Sequence, residues 1–93
     1  MEVSDTPTGF RVDSENGSVQ MSIQGESAFG HDWYCNSEDA SEAASLLLTA
    51  RTELKKRGLH SFMVHIPIED QSLGEFWLSV GGKPLFMAIG VDV

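Results

Sequence analysis

The sequence predicts an α+β fold in which an antiparallel sheet of five or six strands carries one helix on one face. Three features of the 93 residues predict this fold. Residues 9–25 alternate in hydrophobicity around an Asn-Gly pair, residues 38–57 carry an apolar stripe at helical spacing, and residues 74–92 alternate around a Gly-Gly pair. The predicted element order is therefore β-β-(β)-α-β-β-β.

The chain begins with residues 1–8, which are polar, so we predict a flexible N-terminal tail ahead of a single α+β domain over residues 9–93. The first hairpin turns at Asn16-Gly17, since a two-residue type I′ turn needs positive φ at both central positions. This turn pairs Val12 with Met21. In that register one face is apolar and is predicted to be buried, and it consists of Phe10, Val12, Val19, Met21 and Ile23.

A third strand is predicted over residues 28–35, although Gly30 weakens its interior. A three-residue turn over residues 25–27 would place Phe29 opposite Ile23. Phe29 is therefore expected on the buried face of the sheet.

Residues 38–57 form the predicted helix. Asn36 or Ser37 serves as its N-cap, and acidic residues follow at the positive end of the helix dipole. Gly58 fits the left-handed position after the helix, so that Leu59 folds back onto the last turn in a Schellman motif. The stripe predicted to face the sheet consists of Ala40, Ala43, Ala44, Leu47, Ala50 and Leu54.

Further strands are predicted in the C-terminal part. Residues 61–69 form one that reaches a sheet edge or ends at Pro67, because proline lacks an amide donor. Residues 74–80 and 84–92 form a hairpin around Gly81-Gly82. Its face away from the helix holds a cross-strand aromatic pair with a methionine beside it, namely Trp77, Phe86 and Met63. Such residues are typical of contact surfaces, although the alternative is that neighbouring aromatic residues or the N-terminal tail cover them.

The net charge of −8 is concentrated in the first part of the chain. Residues 1–42 contain nine acidic residues and one basic residue, Arg11, whereas residues 43–93 contain five of each kind. This distribution argues against direct nucleic-acid binding, which needs clustered lysine and arginine. It suits a partner protein with a basic surface, although an acidic surface also simply favours solubility.

Few residues point to catalysis or metal binding. His31, Cys35, His60 and His65 are the nitrogen and sulfur ligands available, but their spacing does not match the paired ligands of a zinc site. Cys35 precedes the helix N-terminus, where the dipole favours a thiolate, but acidic residues in the same turn oppose it. We therefore predict no catalytic residue, metal or cofactor, and a small Cys- or His-dependent enzyme or metal-binding protein remains an alternative.

The predicted function is that of a non-enzymatic, acidic protein-binding module. The chain resembles phage-encoded anti-CRISPR proteins and toxin-immunity proteins in size, acidity and α+β layout, without a shared motif. This resemblance implies an inhibitor of a basic, nucleic-acid-handling protein. The residues predicted to contact the partner are the acids Asp13, Glu15, Glu26, Glu38, Asp39 and Glu42, together with Trp77, Phe86 and Met63.

A second alternative is a structural or assembly subunit. It would self-associate, for example as a homodimer, through the C-terminal strand or the outer sheet face. The sequence shows no signal peptide and no apolar run long enough to span a membrane, so a cytoplasmic location is expected. The single cysteine, Cys35, cannot form an internal disulfide.

Overall fold

Four antiparallel strands and one short parallel strand form a sheet in the order β1-β2-β3-β4-β5. The computed structural model describes residues 1–66, 69–84 and 89–92. The strands are β1 (Glu2–Thr6), β2 (Gly9–Asp13), β3 (Gly17–Gln24), β4 (Ser27–Cys35) and β5 (Met63–Val64). The main helix, α1 (Ala40–Lys56), packs on one face of the sheet, and a shorter helix, α2 (Gln71–Ser79), follows β5. The predicted α+β class is confirmed.

The core lies between α1 and the central strands. Its buried side chains are Phe10, Val12, Val19, Met21 and Ala28 from the sheet, and Leu46, Ala50, Leu54 and Leu59 from α1 and the residues after it. The predicted stripe is correct for Leu47, Ala50 and Leu54, whereas Ala40 and Ala44 are exposed. The predicted stripe did not include Leu46, although its side chain is fully buried. Gly17 gives this side chain its space, since a Cβ built at Gly17 would lie 2.8 Å from Cδ1 of Leu46.

The first hairpin forms with the predicted faces but a different register. Asp13 pairs with Ser18, so four residues separate these paired positions, and every pair is shifted by two positions from the predicted two-residue turn. The glycines with positive φ do not include Gly17, so the predicted type I′ turn is wrong. Because side chains alternate with a period of two, an even shift leaves Phe10, Val12, Val19 and Met21 on the buried face.

The connection from β3 to β4 corrects the prediction for Phe29. Ile23 pairs with Ala28, and Gln24 pairs with Ser27, so the turn consists of two residues. Gly25 at φ +61° supplies the positive φ that such a turn needs. Phe29 consequently pairs with Ser22 and lies on the outer face, away from α1. The predicted third strand itself is confirmed as β4.

A β-bulge halfway along β4 reverses which of its side chains face the core. Ser18 pairs with Tyr34 but Gln20 pairs with His31, so β4 has one extra residue between these pairs. Asp32 adopts a left-handed conformation there, with φ 52°. Before the bulge Ala28 faces the core, and after it Trp33 and Cys35 do, which strict alternation would not allow.

Residues 2–6 form the edge strand β1, whereas the sequence placed them in a loose tail. Val3 pairs with Val12, and Thr6 pairs with Gly9 across a two-residue turn. Arg57, which follows α1, donates from Nη2 to Oδ1 of Asp5 at 2.7 Å. Main-chain pairing with β2 and this ion pair fix a segment whose composition is that of a tail.

Both ends of α1 carry local caps. The N-cap is Asp39, not Asn36 or Ser37, because its extended backbone lets Oδ1 accept from the amide of Ser41 at 2.9 Å. This hydrogen bond lowers the pKa of Asp39. At the other end Gly58 has φ +80°, and the amide of Leu59 donates to the carbonyl of Leu54 at 3.0 Å. The predicted Schellman motif is confirmed.

The C-terminal predictions are largely wrong. The predicted strand over residues 61–69 reduces to β5, and Pro67 lies outside the described residues. Residues 74–80, predicted as a strand, belong mostly to α2, and residues 89–92 form no strand. The cause is visible at the Gly-Gly pair. The amide of Gly81 (φ +97°) donates to Leu78, and that of Gly82 donates to Trp77 at 2.8 Å, so the pair caps a helix instead of turning a hairpin.

Candidate functional site

The connection between β2 and β3 is fastened to the first turn of α1 by Glu42. The Ser14 hydroxyl donates to Oε2 of Glu42 at 2.6 Å, and the Asn16 amide donates to the same oxygen at 2.8 Å. The Asn16 side chain donates to Oε1 at 3.0 Å. The hydrogen bond from Ser14, followed by those from Asn16, lowers the pKa of Glu42, so this carboxylate is ionised at neutral pH.

A second link joins this connection to the segment before α1. The amide of Asn36 donates to the carbonyl of Asn16 at 2.8 Å. The loop between β2 and β3 and the residues leading into α1 therefore lie side by side at one end of the molecule. Their acidic residues are brought together by these contacts, although they are far apart in the sequence.

The sheet adds further carboxylates at the same end. Glu2 pairs with Asp13, Asp13 with Ser18, and Ser18 with Tyr34, so these four residues form a row across four strands on the outer face. We call the whole region the acidic end and define it as Glu2, Asp13, Glu15, Glu38, Asp39 and Glu42. It contains five of the six predicted acidic contact residues.

The charges are separated along α1. Arg11 is the cation beside the acidic end. Its Nε donates to Oδ1 of Asp13 at 2.9 Å and to the Ser18 hydroxyl at 3.1 Å. Four of the other five basic residues, Arg51, Lys55, Lys56 and Arg57, lie in the second half of α1 or at its C-cap. A 17-residue helix is about 25 Å long, so the acidic and basic groups are well apart.

Tyr34 is a candidate contact residue that the sequence analysis did not select. Its side chain is 48% exposed, and it lies in the same outer row as Glu2 and Asp13. The bulge at Asp32 turns Tyr34 to the outer face, where simple alternation from Ala28 would have turned it to the core. The sequence carries no local signal for that bulge beyond an aspartate, which tolerates a left-handed backbone.

The remaining predicted contact residues do not join the acidic end. Glu26 lies in the turn after β3, at the opposite end of that eight-residue strand, which spans about 26 Å. Trp77 is 7% exposed and packs edge-on against Trp33 at 5.1 Å and Phe62 at 5.8 Å between ring centroids. Of the two alternatives that the sequence left open for this face, the structure shows the second for Trp77, which neighbouring aromatic residues cover. Met63 is half-buried in β5, and Phe86 lies outside the described residues.

The histidine and cysteine side chains do not assemble into a metal site in the part of the chain that the structure describes, where no three His, Cys, Asp or Glu residues are suitably grouped. The Cys35 thiol donates to Oε2 of Glu42 at 3.9 Å. His31 lies in β4, whereas His60 and His65 flank β5.

Comparisons with family models, with curated proteins and with solved structures found no match to this chain. Over residues 1–66, 69–84 and 89–92, no helix is both long enough and apolar enough to cross a membrane.

Proposed function

We propose that this protein is a binding module that docks through its acidic end on a basic surface of another protein. The observation that supports the proposal is the grouping of six carboxylates beside one arginine, Arg11, which is already paired with Asp13. A surface of this kind repels nucleic acid and attracts lysine and arginine side chains.

The acidic end is preorganised for such docking. Asp13 and Glu2 lie on paired strands, and Asp39 is fixed as the N-cap of α1. Glu42 holds the loop that carries Glu15 through three hydrogen bonds. Because little of this surface has to be ordered on binding, more of the interaction free energy appears as affinity.

Tyr34 supplies an apolar anchor within the charged surface. Its side chain is 48% exposed. Tyrosine is enriched among the residues that dominate binding at interfaces, where it buries a large ring and still offers a hydroxyl. The surrounding carboxylates would accelerate association and select a basic partner, while the tyrosine would slow dissociation. The two contributions are separable, because only the first is weakened by salt.

The partner class that fits best is a nucleic-acid-handling protein, because its basic surface already binds phosphates. Carboxylates that occupy the same lysine and arginine side chains would compete with the nucleic acid, and the protein would then act as an inhibitor. A cytoplasmic location suits this role and the single free Cys35.

A capture experiment tests the proposal. The immobilised protein is exposed to a cell lysate at low and at high salt, and retained proteins are identified by mass spectrometry. We expect basic nucleic-acid-binding proteins to be retained at low salt and released at high salt. If no protein is retained at low salt, or if retention is independent of salt, the proposal is wrong.

A matched pair of variants locates the surface. Glu15→Gln and Glu26→Gln each remove one exposed carboxylate from a hairpin connection, at opposite ends of β3. We expect Glu15→Gln to weaken binding of the captured partner severalfold and Glu26→Gln to leave it unchanged. Tyr34→Ala is expected to weaken binding at every salt concentration. Equal effects of the two glutamate variants would place the contact elsewhere.

A further inference from the structure

Three side chains on the outer face of the sheet form a continuous hydrogen-bonded chain. The Ser22 hydroxyl lies 2.7 Å from Nε2 of His31, and Nδ1 of His31 lies 3.0 Å from Oδ2 of Asp32. The tautomer with its proton on Nδ1 satisfies both contacts, since it donates to Asp32 and leaves Nε2 to accept from Ser22. This is the connectivity by which a histidine activates a serine.

The β-bulge in β4 makes this arrangement possible. Neighbouring residues of a regular strand point to opposite faces, so an aspartate directly after a histidine would normally be out of its reach. Asp32 has a φ of 52°, and this left-handed conformation brings its carboxylate back to the imidazole of His31. Ser22 reaches the same imidazole from β3, where its neighbours Met21 and Ile23 point to the core side.

The site is accessible from solvent. The His31 side chain is 40% exposed and that of Asp32 is 78% exposed, and Ser22 is half-buried between them and Thr8. The Thr8 hydroxyl lies 3.2 Å from that of Ser22. A small acyl donor can therefore approach the Ser22 oxygen from the open face of the sheet, and Thr8 is placed to hydrogen-bond that oxygen.

We propose that Ser22 is a nucleophile that reacts with activated carboxylic esters, with His31 as its general base and Asp32 as the residue that positions His31. Oγ of Ser22 forms a bond to the ester carbonyl carbon while its proton passes to Nε2 of His31. The bond from that carbon to the leaving alcohol oxygen breaks, and the alcohol departs with the electron pair and takes the proton from His31. Water then hydrolyses the acyl-serine, with His31 accepting the water proton and returning it to Oγ of Ser22. This reactivity goes beyond the proposed docking function and does not depend on it.

Covalent labelling tests the nucleophile. The protein is incubated with a fluorophosphonate probe, in which the serine oxygen replaces fluoride on phosphorus, and intact-mass and peptide-mass spectra identify the modified residue. We expect one adduct, located on Ser22. An adduct on another residue, or no adduct, would overturn the proposal, and mapping on the unaltered protein decides this even if Ser22→Ala does not fold.

Ester turnover and variants test the mechanism. With p-nitrophenyl acetate as substrate, we expect Ser22→Ala to abolish the release of p-nitrophenolate above background. Ser4→Ala, an exposed serine on the outer face of β1, is the control and should leave the rate unchanged. His31→Gln should slow the reaction about 100-fold, the usual contribution of a general base. Circular dichroism verifies that each variant is folded, and an unchanged rate in folded His31→Gln would refute the role of His31.

The role of Asp32 has its own readout. The ¹⁵N chemical shifts of the His31 imidazole report which ring nitrogen carries the proton. We expect protonation at Nδ1 in the unaltered protein, and a shift of the proton towards Nε2 together with slower ester turnover in Asp32→Asn. If the tautomer is the same in both proteins, Asp32 does not position His31.

Discussion

Two leucines on α1, two positions apart, give the sharpest test of how this fold is built. The Leu46 side chain is fully buried against Gly17, whereas that of Leu48 is 64% exposed. Truncating a fully buried leucine to alanine costs about 2–5 kcal/mol, because the transfer free energy is lost and a cavity remains. Truncating an exposed leucine changes stability by about 0.5 kcal/mol or less. The losses in the free energy of unfolding caused by the two substitutions should therefore differ by about 3 kcal/mol.

That difference is large for this chain. At about 0.05–0.15 kcal/mol per residue, 93 residues give a free energy of unfolding of about 5–14 kcal/mol. For a domain of this size, a loss of about 3 kcal/mol lowers the melting temperature by about 12–24 °C. Urea unfolding followed by circular dichroism measures both variants. If Leu46→Ala and Leu48→Ala unfold at the same urea concentration, α1 does not pack on the sheet as described.

Three further predictions concern other elements. Glu42→Gln should lower the melting temperature at neutral pH. Hydrogen bonds hold the pKa of Glu42 below its ordinary value of 4.5, so its stabilisation is complete above pH 4.5 and is lost as the pH falls through the lower folded-state value. The difference in melting temperature between the unaltered protein and Glu42→Gln should narrow in acid, and a constant difference would contradict this prediction. Gly58→Ala should cost about 1–2 kcal/mol because φ is +80°, whereas Gly74→Ala within α2 should stabilise by about 1 kcal/mol in urea titrations. In a Trp33→Phe background, the fluorescence of Trp77 should be shielded from acrylamide, and quenching as rapid as that of free tryptophan would show that Trp77 is exposed.

The acidic end was predictable as a set of residues but not as a surface. The sequence alone places nine acidic residues within residues 1–42. The contacts of Glu42 with Ser14 and Asn16 bring five of the six chosen acids together, and these contacts join residues 26 and 28 positions apart. Glu26 looks equivalent to Glu15 in sequence, but β3 separates the two. Distances of this kind depend on pairing between strands, which has no local signal.

The sequence by itself determined the features whose physics is local. The helical stripe, Gly58 and Leu59 specify α1 and its Schellman motif within a few residues, and the alternation around residue 16 specifies which face of the first hairpin is buried. The tertiary structure decided what a local signal leaves open. A Gly-Gly pair can turn a hairpin or cap a helix, because both need positive φ. Here the Gly-Gly pair caps α2, the helix from which Trp77 packs against Trp33 and Phe62.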